Sequence, residues 1–230
     1  MTSAESISFF VTGTDTASGK TIASTMLLRA FMRAGYPAFG MKPVASGCIR
    51  TAEGLVSEDA LKLMNNSTTR FPYKLINPVA LETPCSPNIA AEQEGYILKP
   101  QTILEAYDVL KRAKGIIIME GVGGWSTPVF GLQGMGEIVR QLGMPVLMVV
   151  GLRLGCINHA ALTSAAIKKE GADLVGWIAN HVDPDYTQSE QTVSCLQDVL
   201  GCSLLGHIPF LRDPSTIEGL ACLDIQSLVK

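Results

Sequence analysis

The chain has no apolar stretch long enough to cross a membrane. Its longest apolar run, Met144 to Leu152, falls well short of the ~20 residues a spanning helix needs and reads as a buried strand. No Lys or Arg precedes Lys20, and the apolar stretch Ile7 to Val11 is too short for the core of a secretory signal, so a cytoplasmic address is expected. Basic residues are also scarce. Eighteen Lys and Arg stand against 21 Asp and Glu, with no basic run interleaved with aromatics, which argues against a nucleic-acid partner. The six cysteines, Cys48, Cys85, Cys156, Cys195, Cys202 and Cys222, form no CxxC pair, and no histidine stands at zinc-finger spacing. Reduced, mostly buried thiols are expected, with no disulfide frame and no zinc site. A GxSxG elbow is missing too, which disfavours a hydrolase triad.

Apolar residues are abundant, at 47% of 230, enough to bury a large core and to predict one domain spanning residues 1–230. Short aliphatic runs alternate with segments of helical period, the pattern of a parallel sheet with crossover helices. Strands are expected at Ile7–Thr12, Ala38–Pro43, Gly115–Glu120, Pro145–Val150, Leu174–Asn180 and Leu204–Ile208. Nearly all are apolar on both faces, as a sheet covered by helices on both sides requires. Helices are expected at Lys20–Ala34, Glu58–Met64, Gln101–Lys114, Gly136–Leu142, Ile157–Glu170 and Thr187–Leu200. The fold class is therefore α/β, a doubly wound, mostly parallel sheet with helices on both faces. Prolines 72, 78, 84, 87 and 100 punctuate the stretch from Arg70 to Pro100, an elaborated connection expected to cover or line a site.

The first strand leads into Gly13-Thr14-Asp15-Thr16-Ala17-Ser18-Gly19-Lys20-Thr21, and an amphipathic helix follows at once. This is the context of a phosphate-binding loop. Backbone amides wrap the phosphates, the helix N-terminus adds positive potential, Lys20 neutralises the outer phosphates and Thr21 ligates Mg²⁺. Five residues separate Gly13 from Gly19 where the strict spacing has four, so the loop is a variant. Asp59 and Glu120 are the candidate carboxylates for the metal. Asp59 lies near the start of a helix, while Glu120 ends an apolar strand and precedes Gly121-Val122-Gly123-Gly124. Lys42 follows the second strand and shares the carboxyl edge of the sheet with the phosphate loop, where a second cation would hold another anion. Gly151 to His159 carries a glycine turn into a helix N-terminus suited to a carboxylate or phosphate. Each has a plainer reading: a solvated charge or helix-end residue for the carboxylates, a lysine reaching into water, a capping turn.

Taken together, Gly13-Thr14-Asp15-Thr16, Gly19-Lys20-Thr21, Lys42-Pro43-Val44-Ala45-Ser46-Gly47, Asp59-Ala60-Leu61, Glu120-Gly121-Val122-Gly123-Gly124-Trp125 and Gly155-Cys156-Ile157-Asn158-His159-Ala160 resemble the dethiobiotin synthetases, in order and over nearly the whole chain. The resemblance implies a homodimer that converts 7,8-diaminononanoate, CO₂ and ATP, with Mg²⁺, to dethiobiotin, ADP and phosphate. It implies that Gly13 and Thr16, Ala17, Ser18, Gly19, Lys20 and Thr21 hold the nucleotide phosphates, with Gly121, Val122 and Gly123 close by. Thr21, Asp59 and Glu120 would serve Mg²⁺. Lys42, Lys20, Thr16 and Ser46 would act on the diamine and its carbamate. Gly155, Cys156, Ile157 and Asn158 would receive the substrate carboxylate in the neighbouring subunit's site, and adenine would lie near Asn180, His181, Pro209, Phe210 and Leu211. Two departures from the family pattern stand out: Ala17 replaces an acidic residue, and residues 126–136 are glycine-rich. The alternative on the same fold is a switch ATPase of the partition or site-selection type, whose signature lysine would stand where this chain has Asp15.

Overall fold

The computed structural model describes residues 6–213 and 223–229. Cys222 lies outside them. β1 (Ile7–Gly13) runs into α1 (Lys20–Arg33), then β2 (Ala38–Met41). After a long connection come α5 (Pro100–Lys111), β7 (Ile116–Glu120), α6 (Gly136–Gln141), β8 (Val146–Leu152), α7 (Cys156–Lys169), β9 (Leu174–His181), α8 (Ser189–Leu200) and β10 (Ser203–Ile208). The six strands form one sheet in the order β10-β9-β8-β1-β7-β2, parallel at every pairing. All six expected strands and all six expected helices are present, with ends shifted by a few residues. No helix of the described residues is long and apolar enough to cross a membrane.

Alternation along each strand divides the core in two. Phe9 and Val11 of β1 face one layer with Leu27 and Phe31 of α1, Ile118 and Val149. Phe10 faces the other, with Met119, Met148, Trp177, Ile103 and Leu110. Both faces are therefore sealed by helices, and β7 is buried along its whole length. The register sets Val11 beside Glu120 and Gly13 beside Val149, so the loops after β1, β7 and β8 emerge at one edge of the sheet.

The second strand is shorter than its apolar run suggests. It stops at Met41 because Lys42 turns away to donate its N–H to the Ile76 carbonyl at 2.8 Å, and Pro43 has no N–H to continue a ladder. Val44–Ala45 (β3) pairs instead with Val79–Ala80 (β6) in a separate two-stranded sheet. A hairpin of β4 (Ile49–Thr51) and β5 (Gly54–Val56) follows, and then α2 (Glu58–Asn65). The proline-punctuated stretch contains α3 (Tyr73–Ile76) and α4 (Pro87–Gln93), with Pro87 and Pro100 in the first turns of α4 and α5, where a missing N–H costs nothing. The outer edge of β2 is also occupied. Ala38 N–H donates to Thr68 Oγ1 at 3.0 Å, Gly40 N–H to Ser67 Oγ at 2.9 Å, and Thr68 N–H to the Ala38 carbonyl at 2.8 Å.

The cysteines are less buried than expected. Cys48 and Cys156 are buried, but Cys85 and Cys202 are half-buried and Cys195 is exposed on α8, whose buried stripe is Thr192, Leu196 and Leu200. All five are free, and burial pushes the Cys48 and Cys202 thiols up, away from reactivity.

Gly40 sets the distance between β2 and α2, since a Cβ there would stand 2.6 Å from Leu63 Cβ. Gly40→Ala is expected to destabilise the protein by about 1–3 kcal/mol through overpacking, measured by chemical denaturation.

Candidate functional site

The loop between β1 and α1 holds its shape with its own polar atoms. Asp15 Oδ1 accepts the Ala17 N–H at 2.9 Å, and Ser18 Oγ donates to the Asp15 carbonyl at 3.1 Å. Lys20 is buried, and its ammonium crosses the loop to donate to the carbonyls of Asp15 at 2.9 Å and Thr16 at 3.5 Å. Gly19 has φ 86°, the left-handed conformation glycine favours, and a Cβ there would lie 1.9 Å from Asn180 Nδ2. Asn180 itself is buried at the end of β9 and donates to the Ser18 carbonyl at 2.9 Å, bracing the loop from below. Thr16 and Ala17 form the exposed crown of the loop.

Beside the loop, Lys42 is 3% exposed rather than reaching into water. Its three N–H groups have three acceptors: Glu120 Oε1 at 2.6 Å, Asp59 Oδ2 at 3.0 Å and the Gly121 carbonyl at 3.1 Å. Burial pulls the Lys42 ammonium down, but Glu120 and Asp59 more than offset it and hold its pKa above that of an ordinary lysine. For Asp59, burial works against ionisation and is outweighed by the charge and hydrogen bond of Lys42, with help from Thr21 and Lys62, so its carboxyl stays below the usual range. Thr21 Oγ1 donates to Glu120 Oε1 at 2.8 Å, which joins α1 to the same cluster.

Asp59 owes its place to a helix start. Ser57 caps α2 by accepting the Ala60 N–H at 3.3 Å, and Asp59 sits in the first turn, where the helix dipole favours an anion. The cap is tied to Lys42 through the connection that follows. Ser57 N–H donates to Tyr73 Oη at 2.7 Å, Tyr73 Oη donates to Asn77 Oδ1 at 2.9 Å, and Asn77 Nδ2 donates to the Lys42 carbonyl at 2.8 Å. Neither Tyr73 nor Asn77 carries a sequence motif that would single it out.

Two cavities share these walls. One, of about 350 Å³, is lined by Thr16, Ala17, Gly19, Lys20, Thr21, Lys42, Ser46, Asp59, Glu120, Val122 and Gly123. The second, of about 550 Å³, shares Thr16, Ser46, Val122 and Gly123 and adds Pro84, Cys85, Ser86, Pro87, Thr127 and Pro128. The proline-punctuated connection thus lines the site, as expected, and also supports it from behind.

Other expected residues stand apart from both cavities. His181 and Phe210 approach edge to face at 6.3 Å, with His207 6.3 Å from His181, at the ends of β9 and β10 beyond Asn180; Pro209 and Leu211 flank Phe210. Gly155, Cys156, Ile157 and Asn158 form the start of α7, with Gly155 at φ 90°, and line neither cavity. Ser18 lies beneath the loop rather than on its open side.

The oxygens suit Mg²⁺. Thr21 Oγ1 and the Asp59 and Glu120 carboxylates are hard donors on one wall, and Glu120 Oε2 is buried without a hydrogen-bond partner among the described residues. Two carboxylates and a hydroxyl, completed by phosphates and water, form a set of the kind Mg²⁺ takes.

A family model described as an AAA domain, AAA_26, matches residues 8–217. The ATP-dependent dethiobiotin synthetase BioD of Xanthomonas oryzae pv. oryzae strain PXO99A is 45% identical over 205 residues, 89% of this chain and 92% of that protein. The chain belongs to the ATP-dependent dethiobiotin synthetase family. The BioD of Pseudomonas paraeruginosa is 41% identical over 221 residues, covering 96% of this chain and 97% of its own. The activity is that of a dethiobiotin synthetase, an ATP-dependent ligase in biotin biosynthesis. Among solved structures, the synthetase is similar to the MinD cell division protein of Aquifex aeolicus, with TM-score 0.58 and 14% identity over 92% of this chain and 85% of that one. A ParA family ATPase from Chlorobium tepidum TLS gives 0.53 and 15% over 91% and 86%. At such identities the likeness concerns the fold, a parallel P-loop NTPase sheet, and the switch-ATPase alternative gains nothing further from it.

Burial, with the charge of Lys42 beside it, lowers the Lys20 pKa from the ordinary 10.5 to about 8, despite Glu120, Asp15 and Asp59 nearby. The folded value lies below the unfolded one. The cost of keeping Lys20 charged is therefore fully present below about pH 8 and is relieved as pH rises from about 8 to 10.5. Phosphates restore the ammonium, so ATP binding above pH ~8 is expected to take up a proton and to weaken as pH rises. Calorimetry in buffers of different ionisation heat measures both; uptake is expected to vanish in Lys20→Arg and, for wild type, near pH 6.5.

Proposed function

We propose that this site carboxylates 7,8-diaminononanoate with CO₂ and closes the ring at the expense of ATP, giving dethiobiotin, ADP and phosphate in the cytoplasm. The observation that supports it best is the contiguity of the two cavities at Thr16, Ser46, Val122 and Gly123, with Lys20 and Lys42 lining the smaller of the two. The smaller accommodates phosphates and a carbamate; the larger accommodates the alkyl body of a diamine.

An alkyl amine with a pKa near ~10 must be neutral to attack CO₂, and two lysine ammoniums nearby disfavour its cationic form while stabilising the carbamate anion. Lys42 is the more permanent cation of the pair, since its carboxylate partners keep it protonated. Its Asp59 contact is the most exposed of the three, at 41% for the Asp59 side chain, and supplies the N–H that turns to the carbamate. Ser46 offers a hydroxyl at the junction. The carbamate oxygen then attacks the γ-phosphorus, the bond to the bridging oxygen breaks and ADP leaves, giving a carbamic–phosphoric anhydride, while Lys20 and the amides of residues 16–21 absorb charge at the phosphates. Held by Thr21, Asp59 and Glu120, Mg²⁺ would neutralise the phosphate oxygens. The second amine attacks the activated carbonyl and phosphate leaves. Because both amines belong to one bound molecule, closure is effectively unimolecular, an advantage of roughly ~7 kcal/mol or more in well-oriented models.

We also propose a homodimer, with Gly155–Asn158 of one subunit receiving the substrate carboxylate of the other. Leu154, just before α7, and Leu162, midway along it, are 89% and 63% exposed and provide apolar surface for such a contact. Adenine is assigned to the surface near Asn180, His181 and residues 209–211.

ADP is expected to form only when diamine and CO₂ are both present, with label from bicarbonate retained in an acid-stable ring. Brisk ADP formation without diamine, or label lost on acidification, would overturn the reaction. Lys42→Gln is expected to keep ATP binding within severalfold and to lower kcat by on the order of 10²–10³, the loss of a charge-stabilising donor, measured by single-turnover kinetics.

A further inference from the structure

An acidic side chain inside a phosphate loop poses an electrostatic problem, because phosphates must settle beside it. Asp15 is such a residue, and its charge is balanced from 138 positions away: Arg153 Nη2 donates to Asp15 Oδ2. The two side chains are 35% and 27% exposed, so the pair is sheltered from solvent but not sealed. The same carboxylate uses its other oxygen to hold the Ala17 N–H, and the Asp15 carbonyl holds Lys20 Nζ. One residue therefore fixes the crown of the loop, the position of its lysine and a distant arginine.

Arg153 is equally committed on its own side. It ends the approach from β8, and its carbonyl accepts the Cys156 N–H at 3.1 Å, which closes the turn that starts α7. Its backbone thus shapes the turn whose first amides belong to residues 155–158, while its side chain grips the loop. Neither Asp15 nor Arg153 lines the 350 Å³ cavity that holds the two lysines. Asp15 does line a neighbouring cavity of about 500 Å³ with Thr16, Thr127 and Leu162, and on the lysine-lined cavity both residues act through what they position.

We propose that Asp15 and Arg153 are positioning residues that make nucleotide binding and diamine binding interdependent. The inference rests on the reading above in which the turn at 155–158 serves the neighbouring subunit's substrate. In that arrangement the bridge runs from the phosphate loop of one active site to the carboxylate station of the other, so each site reports its occupancy across the dimer. Phosphates settling over Thr16 and Ala17 fix Asp15 through the Ala17 amide, and Asp15 fixes the turn through Arg153. By linkage, substrate held at the turn must favour nucleotide at the loop by the same factor.

The test is equilibrium binding of a non-hydrolysable ATP analogue with Mg²⁺ to the full-length protein, with 7,8-diaminononanoate absent and then saturating. In wild type the diamine is expected to tighten the analogue on the order of fivefold, the lower end of ordinary coupling. Asp15→Asn keeps an acceptor for the Ala17 amide but loses the charge, and Arg153→Gln loses the partner; each is expected to bring the ratio to one. Arg153→Lys is expected to retain most of it, with all variants melting close to wild type. A ratio unchanged in both neutral variants, with any loss of analogue affinity equal in the two conditions, overturns the coupling and leaves a purely structural bridge. A wild-type ratio of one also overturns it. If bicarbonate label is still incorporated, only the coupling fails; if it is not, the site reading beneath it fails as well.

Discussion

A lysine ammonium out of contact with water is among the most demanding groups a protein can contain, and the site is organised around satisfying one. Desolvating an ion costs several kcal/mol even after relaxation, and only good geometry with every hydrogen bond made recovers it. Lys42 has that geometry, with two carboxylates and a carbonyl on its three N–H groups. The acceptors arrive from different places: Glu120 from the end of β7, next to the edge strand β2, Asp59 from the first turn of α2, Gly121 from the loop beyond. Even the early end of β2 belongs to this requirement, since stopping at Met41 frees Lys42 to leave the sheet. The pair Lys42–Glu120 is thus costly to assemble and more costly to break, and its value lies in holding charge of both signs at fixed positions beside the phosphate loop.

Most of the fold was legible because it rests on periodicity. Runs such as Gly115 to Glu120 and Pro145 to Val150 announce strands covered on both faces, and Gly13 to Thr21 between a strand and a helix announces an anion site. The roles proposed for Lys42, Ser46, Asp59 and Glu120 rest on the residues as a set; alone, Lys42 reads equally well as a solvated strand-end lysine, and its burial removes that plainer reading. The network Ser57–Tyr73–Asn77 was not legible, since it is made by side chains of ordinary turn residues meeting across sixteen and thirty-five positions of sequence. The same holds for Arg153 and Asp15. Local patterns report which face of an element is buried; they do not report which polar group answers another at long range. Prolines 72 to 100 marked a connection correctly but hid two short helices and a strand, because proline signals where regular structure breaks and not where it resumes one residue later.

The likeness to MinD and ParA proteins separates fold from chemistry. At 14–15% identity the shared parallel sheet carries no statement about the chemistry at the loop, where this chain has Asp15. In this chain the residue points its charge inward to an arginine of the same subunit. A fold supplies the edge at which loops converge; side chains such as Asp15, Lys42 and Ser46 decide what the convergence does.

The treatment of β2 bears on the life of the protein before and after it reaches its site. An open strand at the margin of a sheet is a template on which another copy can build, and a long flat one invites polymerisation. Here the strand is four residues long, and its outward amides at Ala38 and Gly40 are taken by the hydroxyls of Thr68 and Ser67. Recruitment of Lys42 into the interior shortens the strand, and the loop after α2 covers what remains. Self-association of this chain through that margin is closed off.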